Sequence, residues 1–135
     1  MKLQNLNTKH AGFTLVEIMI VVAIIALLAA IAVPNFLRAR KRSQATRILE
    51  DLRIIDSAID QYAIENNKSG GANVNWTDIQ SYLKKGSVIY NSGGADLLSN
   101  SYVGFSVDSI PKLSATSYGK LSDVAPSDFW SPFYP

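Results

Sequence analysis

The stretch Gly12-Phe13-Thr14-Leu15-Val16-Glu17, followed by the unbroken apolar run Ile18–Leu37 with Pro34 inside it, decides how the rest of the chain is read. From Ile18 to Leu37 there is no charged side chain and nearly every residue is aliphatic. About 20 such residues are enough to cross a bilayer as a helix. Glu17 is the one carboxylate inside this segment, and it stands near its start. An acid in an apolar helix is costly, on the order of 2.5–3.5 kcal/mol for a central Asp on insertion scales, and less near an end. Glu17 therefore needs a partner, or must snorkel to the headgroup layer.

Outward from that segment the chain divides into four parts. Residues 1–12 form a short polar leader with Lys2, Lys9 and His10. Residues 13–37 are the apolar segment. Residues 38–66 are amphipathic and rich in helix formers, and residues 67–135 are loop-rich, with many Ser, Asn and Gly. In the third part Ala45, Ile48, Leu52, Ile55, Ile59 and Tyr62 recur at steps of three and four, one face of an α-helix. Arg47, Glu50, Asp51, Arg53, Asp60 and Glu65 fall on other faces. Only Pro34 interrupts the pattern, and a proline removes one helical hydrogen bond without always ending a helix. The spacing predicts a single helix over about 13–65, near 80 Å at 1.5 Å per residue, stopped by Asn66, Asn67, Ser69, Gly70 and Gly71.

Beyond the helix, Asn75 followed by Asp78 predicts a capped short helix through Lys84, with Gly86 past its end. Ser87–Asn91 and Tyr102–Val107 are rich in β-branched and aromatic residues and predict strands joined through Gly93 and Gly94, with a third near Leu113–Tyr118. Residues 126–135 predict an extended tail packed through Phe129, Trp130, Phe133 and Tyr134. The expected fold is α+β: a long N-terminal helix, half hydrophobic and half amphipathic, packed on a small antiparallel β-sheet.

Composition narrows the function classes. The 135 residues suit one soluble module behind one span. The net charge of +2 comes from Lys2 and Lys9; without the first twelve residues, 11 cations face 11 anions. Such a balance gives no argument for a nucleic-acid partner. There is no cysteine and only one histidine, so no thiol chemistry and no nucleophile–base arrangement can be assembled, and neither enzymatic activity nor a cofactor is expected. Asp96, Asp108, Asp123 and Asp128 are oxygen donors of the kind calcium takes, but they follow no spaced loop motif and read as solvated turns.

The segment Gly12-Phe13-Thr14-Leu15-Val16-Glu17, the apolar run and Pro34 together closely resemble the N-terminal signature of type IV pilins and type II secretion pseudopilins. The resemblance covers about the first fifty residues. It implies a leader cut by a prepilin peptidase between Gly12 and Phe13, and N-methylation of Phe13. It also implies an assembly role for Glu17 and Pro34, the family's intramembrane carboxylate and helix-breaking proline. The ammonium that cleavage creates on Phe13 would pair with a neighbour's Glu17 and set the axial register of adjacent helices, and the helix around Pro34 would melt locally during assembly. The alanines Ala23, Ala26, Ala29, Ala30 and Ala32 suit close helix packing.

The implied function is structural: a subunit of a type IV pilus, polymerising with itself, with a type II secretion pseudopilin as the alternative. The implied partners are prepilin peptidase, the inner-membrane pilus or secretion assembly machinery, and membrane lipid before assembly. The implied locations are the inner membrane, as a single-pass precursor, and then the cell surface, or the periplasm for a pseudopilus.

Two features stand against parts of this picture. Ala30-Ile31-Ala32 matches the small-x-small site of a secretory signal peptide, although the apolar stretch is too long for one and contains Glu17. Arg38, Arg40, Lys41 and Arg42 follow the span, and the positive-inside rule alone would place them in the cytoplasm. The resemblance places the C-terminal part outside, where the cations would meet lipid headgroups first and acidic neighbours such as Glu50 or Asp51 later.

Overall fold

The computed structural model describes residues 11–135. Lys2, Lys9 and His10 of the leader lie outside the described residues. Helix α1 spans Leu15–Glu65, and Pro34 lies inside it. The chain divides into two compact units, Met1–Leu37 and Arg38–Pro135.

Within the second unit, α1 contributes the face foreseen from its periodicity. Ala45, Ile48, Leu52, Ile55 and Ile59 are almost wholly buried, joined by Leu49 and Ala58. After α1 come α2 (Trp76–Ile79), a 3-10 turn (Gln80–Tyr82), α3 (Val88–Asn91), α4 (Ala115–Leu121) and α5 (Ser127–Trp130). Their inward side chains, among them Ile79, Ile89, Leu121 and Trp130, close one core with Tyr102, Val107, Leu113 and Phe133. At about 1.5–3 kcal/mol for each large apolar side chain removed from water, this cluster is what holds the unit together.

The expected antiparallel sheet is not formed. Among the described residues there is no strand, only four isolated bridges: Asn73 with Ser106, Ala95 with Ser101, Val103 with Lys112, and Ser106 with Ser109. The physical reason is local. Ser87 accepts the amide of Tyr90 at 3.2 Å, and this cap turns Val88–Asn91 into a helix instead of a strand. Ser114 does the same through the amide of Thr116, so α4 begins where a third strand was expected. Between them, positive φ values at Gly93, Gly94, Ser99, Gly104 and Asp108 fold the backbone into successive turns too short for a ladder. Tyr102–Val107 makes scattered backbone bonds, such as Tyr102 to Gly94 and Val107 to Ala72, rather than a paired edge. Gly94 is also pressed against an aromatic ring: a Cβ there would stand 3.1 Å from Trp76, so a larger residue is excluded twice over.

The short helix capped at Asn75 is present but stops at Tyr82, and Asp78 returns the amide of Asn75 at 2.9 Å. The expected extended tail instead contains α5. Trp130 is fully buried there, its indole N–H donating to the carbonyl of Ala125 at 3.0 Å.

Candidate functional site

The apolar half of α1 begins with a device the sequence carried openly. The backbone N–H of Thr14 donates to Glu17 Oε2 at 2.9 Å, and the N–H of Glu17 donates to Thr14 Oγ1 at 3.2 Å. This is a reciprocal capping box, the Thr-x-x-Glu pattern ahead of an apolar run, which satisfies two backbone donors that a helix start leaves free. Glu17 therefore has a role in its own chain, as a helix cap. Among the described residues only its Oε2 is engaged, which leaves Oε1 available to a cation.

From Phe13 to Leu37 the large apolar side chains stand 49–85% exposed. Among the described residues nothing covers them. The helix is long and apolar enough to cross a membrane. Gly12 and Phe13 precede α1 in exposed, irregular backbone, and a Cβ added at Gly12 would meet no described atom within 4 Å. Such a segment can lie extended in a protease groove without unravelling any element. Pro34 sits within α1, where its ring removes the donor that would otherwise reach the carbonyl four residues earlier. Gly12, Phe13, Glu17 and Pro34 thus lie along one linear segment rather than converging on a pocket. The arrangement offers an apolar surface with a carboxylate at one end; it presents no catalytic constellation.

In the second unit the cation cluster is divided. Lys41 Nζ donates to Asp123 at 2.9 Å, and the hydrogen bond from this ammonium holds the Asp123 carboxyl below the usual range. The Arg42 guanidinium reaches the carbonyl of Val124 at 3.4 Å and lies 5.8 Å from the ring centre of Phe129. These two cations fasten α1 to the turn between α4 and α5. Arg38 and Arg40 make no ion pair among the described residues. Asp51, placed off the apolar row by its spacing and named as an acidic neighbour for the cations after the span, is buried. Its carboxylate accepts the hydroxyl of Tyr102 at 3.5 Å and faces Arg47 Nε at 3.5 Å. Burial pushes its pKa up, with Arg47 opposing. The same burial, and then the charge of Asp51, pushes the Tyr102 phenol up.

The four aspartates weighed as calcium ligands are dispersed. Asp96 is buried and committed: Oδ1 accepts the amides of Leu98 and Asn100 at 2.8 and 3.0 Å, and Oδ2 accepts the hydroxyl of Ser117. Asp123 belongs to Lys41, while Asp108 and Asp128 are exposed. Among the described residues no three His, Cys, Asp or Glu side chains gather as a metal site would require.

Comparison with known proteins concentrates on the same segment. Residues 7–33 match the family described as the prokaryotic N-terminal methylation motif. The chain is 41% identical over 72 residues to the type IV major fimbrial protein FimA of Dichelobacter nodosus, covering 53% of this chain and 46% of that protein. It is 40% identical over 68 residues to the type IV major pilin protein PilA of Myxococcus xanthus, covering 50% of this chain and 31% of that one. It is 32% identical over 60 residues to the type II secretion system core protein G of Aeromonas hydrophila, covering 44% of this chain and 42% of that one. The chain thus spans less than half the length of each of these curated relatives. No solved structure matches it.

Proposed function

Because the chain belongs to the family of type IV pilins and type II secretion pseudopilins, we propose that it is a structural subunit of a type IV pilus, made as a membrane-inserted precursor and polymerised through the apolar half of α1. The observation that carries this reading is the uncovered surface from Phe13 to Leu37 behind a single capped carboxylate. Aliphatic surface of that extent cannot remain in water. Lipid covers it before assembly and neighbouring copies cover it afterwards.

On this reading residues 1–12 leave with the prepilin peptidase, which cuts between Gly12 and Phe13, and Phe13 is then methylated on its new amine. The amine meets Oε1 of a neighbour's Glu17 while Oε2 keeps the Thr14 cap. Pro34 marks where the helix yields as subunits leave the bilayer. Residues 38–66 and 67–135 form the module carried on the outside of the filament. The partners are other copies of the chain, prepilin peptidase and an inner-membrane assembly machine. The chain passes from the inner membrane to the cell surface, and we assign it no catalytic role.

Mass analysis of the N-terminus in sheared filaments tests the reading. A methylated Phe13 start is expected, and a start at Val33 would establish signal-peptide cleavage instead. The similarity to a secretion core protein G supports a second reading, a periplasmic pseudopilus subunit. Deleting the gene separates the two: loss of surface filaments supports the pilus, whereas intact filaments with failed protein secretion support the pseudopilus.

A further inference from the structure

We propose that Asn67 is a site of N-linked glycosylation. Asn67-Lys68-Ser69 is an Asn-x-Ser acceptor sequence without proline, and Glu65 supplies the acidic residue two positions upstream that bacterial oligosaccharyltransferases also select. The structure presents this sequence in a form that such an enzyme can use. Helix α1 ends at Glu65, and Asn67 takes φ 47 as the left-handed residue just past the helix. The amide of Lys68 bonds back to the carbonyl of Ala63 at 3.0 Å, the closing bond of a Schellman motif. That geometry throws the chain outward, so every residue from Ile64 to Gly70 is exposed.

Glu65 and Asn66 are held, the first by the Tyr82 hydroxyl at 2.7 Å and the second through the carbonyl of Tyr62 at 2.9 Å. The Asn67 carboxamide and the Ser69 hydroxyl make no hydrogen bond among the described residues. No buried residue lies between Ile59 and Val74. The acceptor can therefore be drawn into an enzyme groove by local opening at little cost to the core.

A second Asn-x-Thr sequence, Asn75-Trp76-Thr77, provides an internal control. There Asn75 is the N-cap of α2, Thr77 lies inside that helix, and Trp76 packs on Gly94 and Phe105. Wound into a helical turn around a packed indole, it cannot be extended without dismantling the fold nearby.

The sugar donor is of the polyprenyl-pyrophosphate-linked oligosaccharide class. Asn67 Nδ2 forms a bond to C1 of the first sugar, and the bond from C1 to the pyrophosphate oxygen breaks. The electron pair leaves with the lipid pyrophosphate, and the amide proton passes to a base of the transferase. Such donors face the side of the membrane away from the cytoplasm, so the inference rests on the proposal that the second unit is exported.

The test is site-resolved mass spectrometry of the full chain isolated from the cells that make it, together with its Ser69→Ala and Ser69→Thr variants. One digest reports both the Phe13 terminus and the Asn67 peptide. The expected result is a hexose- or hexosamine-containing adduct on Asn67, lost in Ser69→Ala, retained in Ser69→Thr, and absent from Asn75. An unmodified Asn67 peptide beside a methylated Phe13 overturns the glycan while leaving the export reading intact. An unmodified Asn67 beside an uncleaved leader overturns both. Sugar on Ser69 itself, or retained in Ser69→Ala, also overturns the assignment.

Discussion

The two halves of α1 are one helix by backbone and two different objects by surface. From Leu15 to Leu37 the side chains are aliphatic on every face, and none of the large ones is buried. From Ala45 to Ile59 only one stripe is aliphatic, and that stripe is almost wholly buried in the module's core. An all-round apolar helix can be satisfied only by lipid or other chains, whereas a striped helix is satisfied by its own chain. The boundary falls at Arg38–Arg42, where Lys41 and Arg42 already bind the turn before α5. On the proposed function, cohesion between copies and stability of the single copy therefore reside in separate stretches and can be broken separately.

The largest effect is expected from removing the first half. A chain starting at Arg38 should be a folded, soluble monomer by sedimentation and circular dichroism, and should form no filaments at all. Filaments from that truncated chain would refute the assignment of cohesion to residues 13–37. Within the same truncated chain, Leu52→Asp places an unpaired charge at a site with no exposure and should cost well over about 4 kcal/mol, enough to unfold it.

Glu17 sharpens the comparison at its apolar end, because one substitution can separate its cap from the proposed pairing with a neighbouring copy. Glu17→Gln keeps an acceptor for the Thr14 amide and so keeps the cap, but loses the charge. Filament yield by electron microscopy should fall by about tenfold or more, the effect of losing ~1.4 kcal/mol per contact. Insertion of the precursor in membranes should be unchanged. Normal yield in Glu17→Gln together with poor yield in Glu17→Ala would mean that Glu17 acts as a helix cap and not as a charge. Within the second unit, Trp130→Ala empties a fully buried site in α5 and should destabilise the module by about 3–5 kcal/mol in denaturant titration, with filament contacts untouched.

What could be read from the sequence follows the same division. A period of 3.6 residues sustained through Ala45, Ile48, Leu52, Ile55 and Ile59 leaves little choice but a helix with a buried stripe, and an uncharged run of twenty leaves little choice but a helix that its own chain does not cover. The Thr14-to-Glu17 cap was equally open to view and was missed because the acid was weighed against a partner in another chain and against the headgroup layer, not against the free amides of its own helix start. The module after Asn67 was misread for a physical reason. Val88, Ile89 and Tyr90 favour strands by side-chain type, yet the Ser87 hydroxyl, capping the amide of Tyr90, decides for a helix. The burial of Asp51 was not foreseen from its place off the apolar row, because its partner Tyr102 lies fifty-one residues away, and a contact at that separation leaves no mark in local spacing. The bond between Asp96 and Ser117 is of the same kind.

The smallest expected effect concerns two carboxylates of the module whose pKa shifts run in opposite directions, and it is best measured in the chain that starts at Arg38. The Lys41 ammonium lowers the folded pKa of Asp123 below its unfolded value near 3.9. Its contribution to stability is therefore present above about pH 4 and is lost as pH falls through the lower folded value. Both groups of that pair are about half exposed, so the contribution is small and weakens further with salt. Burial raises the folded pKa of Asp51 above its unfolded value, so the charged form opposes folding at neutral pH. Acidification relieves that penalty: the gain begins as pH falls through the raised value and is complete below about pH 4. Thermal melts from pH 7 down to pH 2.5 should then separate the two. Asp51→Asn should remove part of any rise in Tm between pH 7 and 4, and Asp123→Asn should remove part of the fall below pH 4. Were Asp51→Asn to leave the profile above pH 4 unchanged, Tyr102 and Arg47 would offset the burial of that carboxylate in full.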